Sequence, residues 1–548
     1  MKGIYAWLGP YTDVLEQTLQ KLTEERVVPR IWDLDYTLWQ PEPREITNRL
    51  GWLRSAQTMR ERVPDLQAFA AELRAEGFSH VLLLGMGGSS LAPELFAKVF
   101  GPQCDGLELA ILDTTAPGKV LEFARRLDPA RTLFVVATKS GGTVETLSAF
   151  KYFYNWSLEA LGAEKVGQHF VAITDPGSGL EQLAQVYRFR RIFLNDPNIG
   201  GRYSVLSCFG MVPAALVGLD VERLLDQALE MAQRCGAGVP VTQHPAAWLG
   251  GVMGALAQAG RDKLTLLLPD LLLPLGDWIE QLVAESTGKT GKGILPVVGE
   301  PLLTPERYGE DRLFVDVRFA ESTERLEQVE ALSAAGHPVV RLELRDLYDL
   351  GGQFFLWSMA TAIAGYVLGV NPFDQPNVEA AKRLARQMVA EYLEKGALPV
   401  FEQRTPDPEE VLRFLDQARP GDYIALQAYI TPTPESDAAL QALRQRLLLR
   451  TRCAVTVGYG PRFLHSTGQL HKGDAGRGWF IQFTAEETED APIPDKAGET
   501  ASGMGFSVLI KAQALGDYLA LREAGRRVIS VNLGAAPVQA LLHLAAKL

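Results

Sequence analysis

The chain has 548 residues, 47% hydrophobic and 22% charged, with 54 Lys and Arg against 66 Asp and Glu for a formal net charge of -12. That length is read as about three or four domains of a water-soluble globular protein. The acidic excess excludes a nucleic-acid surface over most of the chain, but not a local basic pocket for an anion.

The opening MKGIYAWLGPYTDVLEQ lacks the apolar run and small-residue cleavage site of a signal peptide. Residues 1–60 read as an extension or cap. A helix is expected from Thr12 to Glu25. The stretch Trp32–Trp39, within IWDLDYTLW, sets two Trp and a Tyr around two Asp, the make-up of a docking segment with aromatic anchors. The cysteines Cys104, Cys208, Cys235 and Cys453 form no CxxC pair, so zinc or redox chemistry has no motif, and a reducing cytoplasm is expected.

A first α/β domain is expected over 61–218. LQAFAAELRAEG reads as a helix closed by Gly77, and HVLLLGMGGSS, LELAILD, TLFVVATKSGGT, HFVAITDPGSG and RRIFLND as strands, with helices at Val120–Arg126 and Thr143–Ala160. Continuous apolar strands alternating with helices predict a parallel sheet covered on both faces, which binds ligands beyond the carboxyl ends of its strands. A second such domain occupies 219–400, with strands at Lys263–Leu268, Gly293–Val298, Leu313–Val317 and Val339–Leu344. Its apolar run Leu264–Leu275, broken by two prolines and Asp270, is too short to span a bilayer. The polar stretch 401–412 reads as a linker into a C-terminal α/β domain, 401–548. There GDYIALQAYI and CAVTVG are strands around a helix Asp437–Leu449, followed by a glycine-rich stretch and a helix Val508–Ala524.

Two strand-end loops point to an anion. GMGGSS, Gly85–Ser90, offers glycine backbone N–H groups ahead of a helix; it has neither the Lys-Ser/Thr of a Walker loop nor the GxGxxG spacing. TKSGGTVET, Thr138–Thr146, places four hydroxyls, two glycines and one Lys in nine residues. Helix capping by Ser140 or Thr143, with Glu145 or Thr146 nearby, explains part of that composition. It does not explain why both loops share it. Gly88, Ser89, Thr138, Lys139, Ser140 and Thr143 are the candidate phosphate-binding residues.

These loops resemble the sugar-isomerase (SIS) domain of the phosphoglucose isomerase family. NIGGRYSVLSCFG, 198–210, and GYVLGVNPFDQPNVEAAK, 365–382, resemble its two signatures, and ESTGK, 285–289, resembles the segment carrying its catalytic base. The opening segment and the tail resemble the isomerase half of transaldolase–isomerase fusions, without a transaldolase barrel. The resemblance covers about residues 60–390. It implies two SIS-type three-layer sandwiches with parallel sheets, plus the C-terminal α/β domain, in a homodimeric cytoplasmic enzyme with no nucleic-acid or membrane partner. The implied reaction interconverts glucose 6-phosphate and fructose 6-phosphate through a cis-enediol, with no metal or cofactor. Such chemistry needs a carboxylate base, a positive charge near the developing oxyanion and an acid–base group at the ring oxygen.

By resemblance, Glu285 is the base, and Gln281, on the same face if 281–285 is helical, contacts substrate. Arg202 stabilises the enediolate, Lys382 lies near the ring oxygen and Gln375 binds phosphate or hydroxyls; two helical turns would align Gln375 with Lys382. The family's ring-opening histidine follows soon after the base, but GEPLLTPERYGEDRLF, 299–314, holds none. GYGPRFLHSTGQLHKG, 458–473, resembles that segment with one gap. His465 is therefore expected to open the ring, from the same subunit or its partner, with His471 the alternative. Two rival readings are a dual phosphoglucose/phosphomannose isomerase, in which Thr287 could assist rotation about C2–C3, and a sugar-phosphate-binding regulator.

Overall fold

The computed structural model describes residues 3–103 and 106–548; Cys104, counted above, lies outside the described residues. The first sheet contains β2 (His80–Gly85), β3 (Glu108–Leu112), β4 (Thr132–Ala137), β5 (Phe170–Thr174) and β6 (Arg191–Leu194) in the order β3-β2-β4-β5-β6, all parallel. The second is built on β7 (Lys263–Leu267), β8 (Leu295–Val297), β9 (Arg312–Phe319) and β10 (Val339–Leu344) in the order β8-β7-β9-β10. The third holds β11 (Tyr423–Tyr429), β12 (Ala454–Tyr459), β13 (Gly478–Thr484) and β16 (Arg527–Asn532) in the order β12-β11-β13-β16, again parallel. A small antiparallel pair, β14 (Pro492–Ile493) and β15 (Met504–Gly505), stands apart.

All three sheets share one winding, second-first-third-fourth, which reverses direction between the first and third strands. Such a reversal opens a crevice at the carboxyl ends. In the first sheet that crevice lies between β2 and β4, the two strands that lead into GMGGSS and TKSGGT. The sequence placed both loops correctly because each follows an uninterrupted buried strand, in which His80 is the sole residue not fully buried.

Two ends of the chain are more integrated than expected. Residues 1–60 are no separate cap: β1 (Ile4–Trp7) joins β10 as an antiparallel edge strand. Trp39 and Trp52 are buried in the core shared by the first and second domains. The docking reading of 32–39 holds: Trp32 Nε1 donates to the Cys235 carbonyl at 2.8 Å and Trp39 Nε1 to that of Ala362 at 3.0 Å. The 401–412 linker is half structured. Arg404 pairs with β16 through Ser530 and Asn532, and a helix begins at Pro408.

The chain around the third sheet packs against the parts of the chain around both other sheets. Leu470 and Phe480 pack with Ala284 and Leu295 of the second domain, and Ile493 and Phe506 join the core of the first. A side chain at Gly288 would collide with Leu470, so only glycine lets these two backbones meet.

Candidate active site

The first loop turns tightly at Gly87, whose φ of +54° favours glycine. A Cβ there would lie 2.8 Å from Gln281 Nε2 and from the His465 carbonyl oxygen, and one at Gly88 would overlap the Gly201 carbonyl. The glycines therefore admit three protein segments, carrying Gln281, His465 and Arg202, to one point. Ser89 lies beside that point, half-buried.

In the second loop, Thr138 and Thr143 hydrogen-bond through their hydroxyls at 2.8 Å. Thr143 precedes the helix Val144–Leu161 but does not cap it with its side chain, so the helix amino end stays open beside the hydroxyl pair. Ser140 is exposed, with Oγ 3.4 Å from the Gly142 N–H. Lys139 is committed elsewhere: it pairs with Asp175 and donates to the Pro197 carbonyl at 2.9 Å. Its charge is thereby shared with the loop's own scaffold.

Glu285 and Gln281 lie on one face of the helix Leu273–Thr287, and Gln281 Nε2 donates to Glu285 Oε2 at 3.1 Å. This helix lies between β7 and β8 in the chain, so Glu285 comes from the second sheet's connections and the two loops from the first sheet's. Arg202 is buried against it. Its Nε donates to Ser286 Oγ at 2.8 Å and its Nη2 to the carbonyls of Pro372 and Asp374 at 2.6 and 3.0 Å. That leaves Nη1 facing the Glu285 carboxylate, 3.4 Å from Oε1. Trp52 stacks on Tyr203 at 5.4 Å and so supports the arginine turn from behind. Gln281 Oε1 is buried and has no protein partner among the described residues, an acceptor left for another donor.

The 458–473 segment reaches this cluster within one chain. The His465 carbonyl accepts from Gln281 Nε2 at 2.7 Å, and its Nε2 lies 3.1 Å from Glu145 Oε1. Burial alone would raise the Glu145 carboxyl, but the His465 imidazole, and more weakly Lys382, hold it below its ordinary value. Arg462 anchors the turn, pairing with Glu94, with Asp113 at 3.0 Å and with Asp277 at 3.8 Å. His471 is not part of the cluster. It is buried against Phe463 and Phe480, touches Gln427 at 3.3 Å, and burial drives its imidazole well below the ordinary range.

The remaining candidates divide. Lys382 lies on the helix Val378–Lys395, over Glu379 at 3.3 Å and near enough to Glu145 to lower it. Gln375 is exposed and precedes that helix, so the expected two-turn alignment with Lys382 does not occur; Pro376 and the loop before it delay the helix to Val378. Thr287 is fully buried, donates to the Val283 carbonyl and accepts from the Ile294 N–H at 3.0 Å. It closes the helix and is not presented to a ligand.

Two residues escaped the sequence reading. Glu145 reads there as a helix-start acid, and only the fold sets it against a residue 320 positions away. Lys289 donates to the Asn371 carbonyl and to Asp374, at 2.7–2.8 Å. Burial, then the Arg202 charge, pulls its ammonium down to about 8 despite Asp374. With Arg202 it clamps the loop 371–374 that leads to Gln375; its place four residues after Glu285 was the available signal.

A family model described as phosphoglucose isomerase matches residues 58–293. A glucose-6-phosphate isomerase of Rubrobacter xylanophilus is 31% identical over 417 residues, covering 66% of this chain and 92% of that protein. One from Thermosynechococcus vestitus is 32% identical, covering 60% and 68%. Among solved structures, a hypothetical protein of Thermus thermophilus superposes with a TM-score of 0.60 at 25% identity, covering 71% of this chain and all of that one. A glucose-6-phosphate isomerase of Chlamydia trachomatis gives 0.59 at 20% identity, covering 76% and 92%, a likeness of fold.

Proposed function

The chain belongs to the phosphoglucose isomerase family, and we infer from that membership that it catalyses the reversible isomerisation of glucose 6-phosphate and fructose 6-phosphate. The observation that carries a reading of the site is the meeting of Glu285, Arg202, Gln281 and His465 around the Gly87 turn.

The substrate phosphate rests on Ser89, Thr138, Ser140 and Thr143 and on the open amino end of the Val144–Leu161 helix, where backbone N–H groups and the helix polarity favour an anion. His465 takes the proton of the C1 hydroxyl and hands a proton to the ring oxygen as the C1–ring oxygen bond breaks, giving the open aldehyde, with Lys382 close by to favour negative charge on the leaving oxygen. Glu285 then removes the proton from C2. Electrons shift to make the C1=C2 enediol, and O1 gathers the negative charge that Arg202 Nη1 stabilises. Return of that proton from Glu285 to C1, with the O2 proton passing to O1, completes fructose 6-phosphate. Glu285 is held ready for this by Gln281 on one oxygen and Arg202 on the other. Because His465 docks from its own chain, the reading needs no residue from a partner subunit.

The test is turnover of glucose 6-phosphate in deuterated water, followed by the appearance of fructose 6-phosphate and of deuterium at C2 in recovered substrate. The Glu285→Gln enzyme should lose at least about 10²-fold in both. If that variant exchanges the C2 proton at the normal rate, another group is the base.

A further inference from the structure

The helix Phe506–Glu523 of the C-terminal domain stands behind the site and touches it at two points one turn apart. Asp517 is fully buried and takes Lys472 Nζ at 2.6 Å, holding the end of the segment that carries His465. Gln513, 2% exposed, donates from Nε2 to Glu145 Oε1 at 2.7 Å, while its Oε1 accepts the Thr115 hydroxyl at 2.6 Å. The carboxylate oxygen that receives Gln513 is the one that faces His465 Nε2.

This arrangement has a direction. A carboxylate only accepts, so the Gln513 amide must turn its NH2 toward Glu145, and Thr115, fully buried, must then donate to the amide oxygen. With its oxygen already solvated by an amide, Glu145 is favoured in the ionised form. An ionised Glu145 can only accept from His465 as well. The imidazole proton then resides on Nε2, and Nδ1, which has no protein hydrogen bond among the described residues, is the nitrogen left to work on the sugar.

We propose that Gln513 is a positioning residue for ring opening: through Glu145 it fixes which nitrogen of His465 carries the proton, although it touches neither substrate nor His465. The Thr115 hydroxyl sets the sense of the relay by fixing the amide. This inference rests on the isomerase reading above, and wild-type turnover of glucose 6-phosphate, measured alongside, separates a failure of that reading from a failure of this one.

The experiment compares Gln513→Met, similar in size but without the donor, and Gln513→Glu in the full-length chain. Turnover of ring-closed glucose 6-phosphate and of an open-chain analogue is followed from pH 5 to 9. Loss of a hydrogen bond to a charged group predicts that Gln513→Met slows the ring-closed substrate by about tenfold in kcat. KM should stay within about twofold and the open-chain rate nearly unchanged. The acid limb of its kcat/KM profile should move to higher pH, because Glu145 is easier to protonate without its donor. Gln513→Glu should recover the ring-closed rate only on the acid side, where its own carboxyl is protonated and can donate as the amide does. That second variant keeps the amide's shape if the methionine enzyme does not fold. Equal slowing on both substrates, or an acid limb that stays put in both variants, would overturn the proposal and leave Gln513 a packing residue.

Discussion

The Thr138–Thr143 turn is closed by a hydroxyl pair five positions apart, whereas the His465 turn is held by residues 184 to 368 positions away. The first, proposed as the phosphate cradle, lies at the crevice of one sheet and is held by contacts within that sheet's own connections. The second has almost no local cause. Its shape comes from Arg462 pinned by Glu94, Asp113 and Asp277, and from Gln281 holding the His465 carbonyl. On the proposed reading, phosphate binding survives local damage elsewhere, but the acid–base group reaches the site only while the chain from 413 onward is docked. Binding and ring opening are thus separable by mutation in the two regions.

The largest expected effect comes from breaking the long-range side. Arg462→Ala removes the cation that Glu94, Asp113 and Asp277 share and leaves only Lys98, which pairs with Glu94 at 2.7 Å. Removing one partner of such a buried group costs about 3–5 kcal/mol. A lower urea midpoint should accompany a loss of turnover on ring-closed substrate, with phosphate affinity for a competitive inhibitor much less affected. An enzyme of normal stability and rate would mean that the turn is held some other way.

A smaller effect is expected on the local side. Thr143→Ala removes one hydroxyl from the cradle and leaves Thr138 without its partner. Phosphate is held in ground and transition states alike, so KM should rise by about tenfold with kcat nearly constant. A fall in kcat at unchanged KM would put the phosphate elsewhere and erase the contrast between the regions.

The same contrast explains what was legible in the sequence. Each strand of the first two sheets that leads into a site loop is an apolar run, and the loops show as glycine and hydroxyl clusters at their ends. Gln281 and Glu285 were placed on one face by helical spacing alone. In the third sheet, β13 and β16 are not evident from the residues. GWFIQFT carries Gln482, whose polarity breaks the apolar run, yet that side chain is fully buried because it donates to the Ala514 carbonyl at 3.0 Å. RVISVN is short and opens and closes on polar residues. β1 went unread for a different reason: four residues of IYAW become a strand only by joining β10. Glu145 and Gln513 belong to the same class. Their identity in the sequence is that of a helix-start acid and a helical amide, and their meaning lies in contacts made across domains. His465 was found through its resemblance to a family segment, not through any local signal of its own.

The most direct measurement of the account is the rate of the His465→Ala enzyme on ring-closed glucose 6-phosphate against an open-chain analogue, with C2 proton exchange followed in both. If the C-terminal domain delivers the ring-opening group, the ring-closed rate should fall by at least about 10²-fold. Open-chain isomerisation and its proton exchange, which depend on Glu285 and Arg202, should stay within about threefold of wild type. Equal losses on the two substrates, or a ring-closed rate that does not change, would contradict it.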